Sequence, residues 1–159
     1  MKVAVIMGSI SDREIAKKVK NKLDELEIEN SVNVISAHRS LDLLMDFCKK
    51  VEEEEIGVII AIAGMSAHLA GVTAALVDIP VIGIPVKSKA LEGLDALLST
   101  VQMPKGVPVA TVAIDGGENA AILAGKILAL NNKKIMNNIK QLREKSRADI
   151  IEINKDLEI

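Results

Sequence analysis

The sequence predicts an α/β fold: a three-layer αβα sandwich around a doubly wound parallel sheet, with an extra helix at its C-terminal end. Three observations carry that expectation. The apolar runs are short, rich in Val and Ile, and continuous rather than alternating, which marks strands covered on both faces. Between them lie amphipathic segments of helical period. The two kinds of segment alternate along the chain, which implies right-handed βαβ units.

Taken in order, residues 3–7, 58–63, 81–84 and 107–114 are the clearest strands, and 32–35 is a fifth with a weaker signal. Residues 12–27 place Ile15, Ala16, Val19, Leu23 and Leu26 on one helical stripe. Residues 40–53 do the same with Leu41, Leu44, Met45, Cys48 and Val51. Further helices are expected over 67–77, 91–101 and 119–130. From Lys133 to about Asn154, Ile135, Ile139, Leu142, Ile150 and Ile153 form a narrow seam on a polar background. Such a seam can pack on its own domain or on another subunit.

The chain has 159 residues, 49% hydrophobic and 26% charged, which suits one globular domain over 1–159. A net charge of −2 gives no global basic field for nucleic acid or anionic membrane. The single cysteine excludes an intramolecular disulfide framework and fits a reducing compartment. The apolar run 3–7 is too short for a signal peptide core, and no stretch is long enough to span a membrane. A soluble cytoplasmic protein is expected. There is no Trp or Tyr and the only aromatic is Phe47, so a flavin-stacking or base-stacking platform is not expected.

In open α/β sheets ligands bind beyond the carboxyl ends of the strands. After the first strand comes Gly8-Ser9-Ile10-Ser11-Asp12. Ser11 with Glu14 matches a capping box, so Ser11 is expected to start the first helix, whose free N–H groups suit an anion such as phosphate. Asp12 would repel phosphate but accept hydrogen bonds from sugar hydroxyls, so it is expected to face a ribose. After the second strand comes Ser36-Ala37-His38-Arg39-Ser40, in which Arg39 offers a planar fork suited to phosphate and Ser40 a second helix cap. After the third comes Gly64-Met65-Ser66-Ala67-His68-Leu69. The chain has only two histidines, and both follow predicted strands at this end of the sheet. An imidazole can give and take a proton at neutral pH, which makes His68 the candidate acid–base residue.

Competing chemistries lack their residues. A metal site needs three or four ligands, and Cys48 belongs to the apolar face of the second helix. The third loop misses the nucleophile-elbow pattern because His68 stands where its last glycine belongs. Neither a G-x-G-x-x-G nor a Walker glycine–lysine pattern is present. A phospho-acceptor receiver would need an aspartate where Gly64 stands. An acid–base enzyme acting on a phosphorylated sugar derivative remains.

The segments GSISD, SAHRS and AGMSAHLAG, followed by LLSTVQMPKGVPVATVAI, closely resemble the PurE family over about 2–130. That resemblance implies a flavodoxin-like fold and a step of de novo purine synthesis. A carboxyl group on the exocyclic nitrogen of an aminoimidazole ribonucleotide is moved to carbon 4 of the ring. The carbamate loses CO2, which stays trapped, carbon 4 attacks it, and a histidine shuttles the proton. The matching histidine is His68. By the same resemblance Ser9, Asp12 and Arg39 bind substrate, and Ser11, Ser36 and His38 line the pocket with them; Ser66, beside His68, is expected to bind substrate there too. The resemblance further implies no metal or other cofactor and a homo-octamer, which favours an intersubunit position for the last helix.

The chain departs from the family pattern in places. Leu41 replaces a usual proline, and the third loop, commonly G-G-A-A-H-L-P-G, carries Met65, Ser66 and Ala70. The loop Asp115-Gly116-Gly117-Glu118 is shorter than its bacterial counterparts. Arg39 and His68 resemble the mutase branch, whereas Met65-Ser66 resembles the branch that carboxylates the unmodified ribonucleotide directly with CO2. The expected activity is therefore the mutase, because His68 carries the proton. Direct carboxylation to the same product is the first alternative, and a non-catalytic sensor of phosphoribosyl ligands is the second.

Overall fold

Five parallel strands make one sheet in the order β2-β1-β3-β4-β5. They are β1 (Lys2–Met7), β2 (Asn30–Val34), β3 (Ile56–Gly64), β4 (Val81–Val86) and β5 (Ala110–Thr111). The helices are α1 (Arg13–Glu25), α2 (Leu41–Lys49), α3 (Leu69–Ala74), α4 (Leu94–Val101), α5 (Gly117–Ala129) and α6 (Lys133–Lys155). This computed structural model describes residues 1–155 and 157, so the last stretch of the expected domain, 156 and 158–159, lies outside the described residues.

The continuous apolar runs are explained by burial on both faces. In β1, Val3, Val5 and Met7 enter a core with Val19, Leu23 and Ala124 of α1 and α5. Their neighbours Ala4 and Ile6 enter a second core with Leu44 and Leu69 of α2 and α3. Successive side chains point to opposite faces of a strand, so a strand between two helical layers needs apolar residues at every position. The three layers follow. β2 at the edge is only partly buried, which is why its signal was weaker.

Several elements differ from expectation: α2 ends at Lys49 instead of 53 and leaves Leu41 and Met45 exposed, and α4 begins at Leu94 instead of 91. The fifth strand shrinks from 107–114 to two residues, Ala110 and Thr111, paired with Ile82 and Gly83. Pro85 of β4 has no N–H to continue that ladder, although its carbonyl still accepts from the Asp115 N–H at 2.9 Å. The third helix starts at Leu69 instead of 67, because a tight turn occupies Met65–His68. The seam of α6 is divided. Ile135 is buried and Met136, Ile139 and Leu142 pack on the first core, while Ile150 and Ile153 are exposed.

The chain leaves β1 toward β2 and returns through β3 to the other side, so strand order reverses between β1 and β3. At that switch point neighbouring loops diverge and leave a crevice.

Candidate active site

The first loop starts from Ser9, which is extended (φ −152°) and whose hydroxyl accepts the Ser11 N–H at 3.3 Å. That bond caps a 3₁₀ turn, Ile10–Asp12, which runs into α1. The expected capping box at Ser11 is therefore corrected. The extra turn moves the cap upstream to Ser9, and Glu14 pairs with Lys17 at 2.9 Å instead. The freed Ser11 hydroxyl donates to Asp12 Oδ1 at 3.1 Å.

In the second loop Ser40 occupies the position before α2, but its hydroxyl turns back and caps nothing in the helix. It donates to the Ser36 carbonyl and accepts the Ser36 N–H, both at 3.1 Å. Ser36 Oγ in turn accepts from Arg39 Nε at 3.3 Å, and Arg39 Nη2 donates to the Gly8 carbonyl at 2.7 Å. The guanidinium thus ties the second loop to the first and is held in a fixed fork.

The third loop turns on Met65, in the left-handed region at φ 55°. Two tight hydrogen bonds follow, Ala67 N–H to the Met65 carbonyl and His68 N–H to the Ser66 carbonyl, each 2.8 Å. They set His68 at the start of α3. Its Nδ1 lies 2.8 Å from Nε2 of His38, with the rings edge to face. One nitrogen donates and the other accepts, so a single proton lies between the rings. Among the described residues His68 Nε2 has no hydrogen-bond partner.

All eight expected residues line one open cleft of about 710 Å³. The first loop supplies Ser9, Ser11 and Asp12, the second Ser36, His38 and Arg39, and the third Ser66 and His68. Asp12 is buried, and its carboxyl is pushed above the ordinary carboxylate value chiefly by desolvation, with a smaller contribution from the nearby Asp115 charge. Burial also pushes the Cys48 thiol up to about 11, away from this chemistry. Among the described residues no group of three or more His, Cys, Asp or Glu side chains is placed to hold a metal ion. None of the described helices is long and apolar enough to cross a membrane.

The sequence reading missed a fourth wall. Val86, Lys87 and Ser88, after β4, also line the cleft. Asp115, left-handed at φ 57°, holds this loop by accepting the Lys87 N–H at 2.9 Å. The signal was available: a polar Lys87-Ser88-Lys89 run directly follows an apolar strand at the same end of the sheet.

A flavodoxin-like sheet whose ligand-end crevice holds paired imidazoles, a fixed guanidinium and clustered hydroxyls defines an α/β enzyme with a polar ligand site beyond the carboxyl ends of its strands. Residues 2–149 match the family model described as AIR carboxylase, and the chain belongs to that family. It is 53% identical over 143 residues to the N5-carboxyaminoimidazole ribonucleotide mutase of Pyrococcus abyssi, covering 90% of this chain and 82% of that one. The protein of the same name from Bacillus subtilis is 45% identical and covers 98% of this chain and 97% of its own. The crystal structure of Treponema denticola PurE superposes with a TM-score of 0.91 at 32% identity, covering 99% of this chain and 98% of that one.

Proposed function

We propose that this chain is an N5-carboxyaminoimidazole ribonucleotide mutase of de novo purine synthesis. It converts the N-carboxy ribonucleotide to the 4-carboxy-5-amino product. The observation that carries the proposal is the His38–His68 hydrogen bond at the switch-point cleft, which leaves one imidazole nitrogen free to carry a proton. Relatives of that name at 45–53% identity support it.

The chemistry balances through one proton. The bond between the exocyclic nitrogen and its carboxyl carbon breaks, releasing CO2, and His68 gives that nitrogen a proton. Carbon 4 then attacks the trapped CO2, and His68 takes back the proton that carbon 4 loses. His38 orients the ring through Nδ1, and Arg39 receives the phosphate. Asp12 and Ser9 hold the ribose and phosphate, with Ser11, Ser36 and Ser66 lining the same pocket. The reaction takes place in a homo-octamer in the cytoplasm, where other copies cover the apolar residues that α4 and the distal half of α6 expose.

Direct carboxylation of aminoimidazole ribonucleotide is the second reading, and it rests on the likeness of Met65-Ser66 to the carboxylating branch of the family. Purified protein given each ribonucleotide, with and without bicarbonate, separates the two. The mutase turns over the N-carboxy substrate without bicarbonate. Rapid turnover only of the unmodified ribonucleotide with bicarbonate overturns the proposal. A non-catalytic sensor would turn over neither, and its His68→Asn variant would differ only in ligand affinity.

A further inference from the structure

Of the residues that line the cleft, only Arg39 and Lys87 carry a fixed positive charge. The substrate class proposed above has two anionic ends, a phosphate monoester of about −1.5 to −2 and a carboxylate of −1. Arg39 already spends Nη2 on the Gly8 carbonyl and Nε on Ser36. One guanidinium, half committed, does not match two separated anions.

Lys87 stands on the opposite flank. Arg39 follows β2 and Lys87 follows β4, three strand spacings apart in the sheet order and so roughly 14 Å between backbones. The Lys87 backbone is fixed by the bond from its N–H to Asp115 Oδ1. Its ammonium, by contrast, is exposed and, among the described residues, paired only with Glu92, itself exposed. Glu92 sits in the left-handed region at φ 53°, next to Gly93 at φ 90°. A side chain at Gly93 would press on the Lys87 Cα, so the loop folds back tightly to bring Glu92 against Lys87. A non-glycine residue held at positive φ is a cost that a packed loop sustains where the position has a use. On the same loop the Ser88 hydroxyl is buried with no hydrogen-bond partner among the described residues, so the loop is not fully satisfied as it stands.

Resting on the mutase reading, we infer that Lys87 is a second anion-binding residue of the substrate site and that Glu92 is its internal competitor. In the empty protein the Glu92 carboxylate occupies the ammonium. An anionic oxygen group of the ribonucleotide displaces it, and Asp115 keeps the Lys87 backbone in place during the exchange. The shared chemistry is an anionic oxygen, from either the phosphate or the carboxylate.

Calorimetric titration of the full chain with aminoimidazole ribonucleotide and with its 4-carboxy derivative tests this. Lys87→Gln is expected to weaken binding roughly tenfold, as for a hydrogen bond to a charged group. Glu92→Gln removes a competitor and is expected to tighten binding about two- to fivefold, the range of an exposed ion pair. In a Lys87→Gln background the Glu92 effect must vanish, since the two residues act through one contact. Equal losses for both ligands assign the phosphate; a loss for the carboxylated ligand alone assigns the carboxylate. Unchanged affinity in Glu92→Gln, or the same tightening with Lys87 absent, overturns the inference. Failure of the unaltered chain to bind either ribonucleotide overturns the function proposed above as well, and so is distinguishable. Both side chains are exposed, and thermal melts of each variant confirm that folding is intact.

Discussion

A single proton between His38 and His68 makes the two rings one device. On the proposed mechanism, loss of the His68 imidazole removes the proton shuttle and leaves His38 without its partner, whereas Arg39 and the hydroxyls of the other loops still hold a ligand. His68→Asn is expected to lower turnover by about 10²–10⁴-fold while calorimetry still detects ribonucleotide binding. Asp12 yields a prediction about pH. Its folded carboxyl lies above the ordinary value of 3.8, so its contribution to stability is present below that value and lost as pH rises through the raised one. Ionised Asp12 is thus a cost at neutral pH. Asp12→Asn is expected to raise the melting temperature at pH 7, with the gain vanishing below pH 3.8, even as activity falls. Both histidines were legible because they are scarce and each follows an apolar run. Their bond was not, because it joins residues far apart in sequence, and its geometry depends on a left-handed Met65. That conformation has a cost of its own, since a glycine at position 65 would adopt positive φ without the roughly 1–2 kcal/mol that a side chain costs there.

At the scale of elements, helices α1 and α5 and strands β1, β3 and β4 were readable from periodicity, because burial on known faces sets both the pattern and the structure. The failures have local causes that propensity does not contain. A 3₁₀ turn displaced the cap from Ser11 to Ser9, and a proline in a neighbouring strand cut β5 short. The β4–α4 loop escaped because an expected strand end at 84 fell short of the observed Val86. Close packing between elements gives the prediction here. Gly83 of β4 lies so near α4 that an added methyl would overlap Thr100 Cγ2 and crowd Val109 and Ala70. Gly83→Ala is expected to destabilise the protein by about 1–3 kcal/mol, as other overpacked cores are, and urea unfolding would measure it. A mutant as stable as the parent would show that α4 can move.

For the whole molecule, the fold class followed from counting strands and helices, but the strand order did not, since several parallel orders satisfy the same alternation. The exposed apolar surface was equally hidden, because a leucine on a helix reads the same whether it faces a core or a partner. Leu94, Leu98 and Val101 of α4 are 53%, 48% and 48% exposed, and Ile150 and Ile153 of α6 are 59% and 60% exposed. Covering such surface by assembly couples folding to protein concentration. Light scattering is expected to give about eight times the protomer mass of 17.0 kDa, and the melting temperature is expected to rise with concentration. A monodisperse protomer whose melting is independent of concentration would contradict the octamer.

Pro85 also bears on what happens when many copies meet. A sheet edge with a continuous row of free N–H and C=O groups is a template on which a strange strand can add, and native chains blunt such edges. Here the outer strand offers two rungs, at Ala110 and Thr111, flanked by Pro104 and Pro108 on one side and by the left-handed Asp115 on the other. The proline that halts the ladder thus leaves that margin of the sheet too short to seed cross-β growth in a crowded cell.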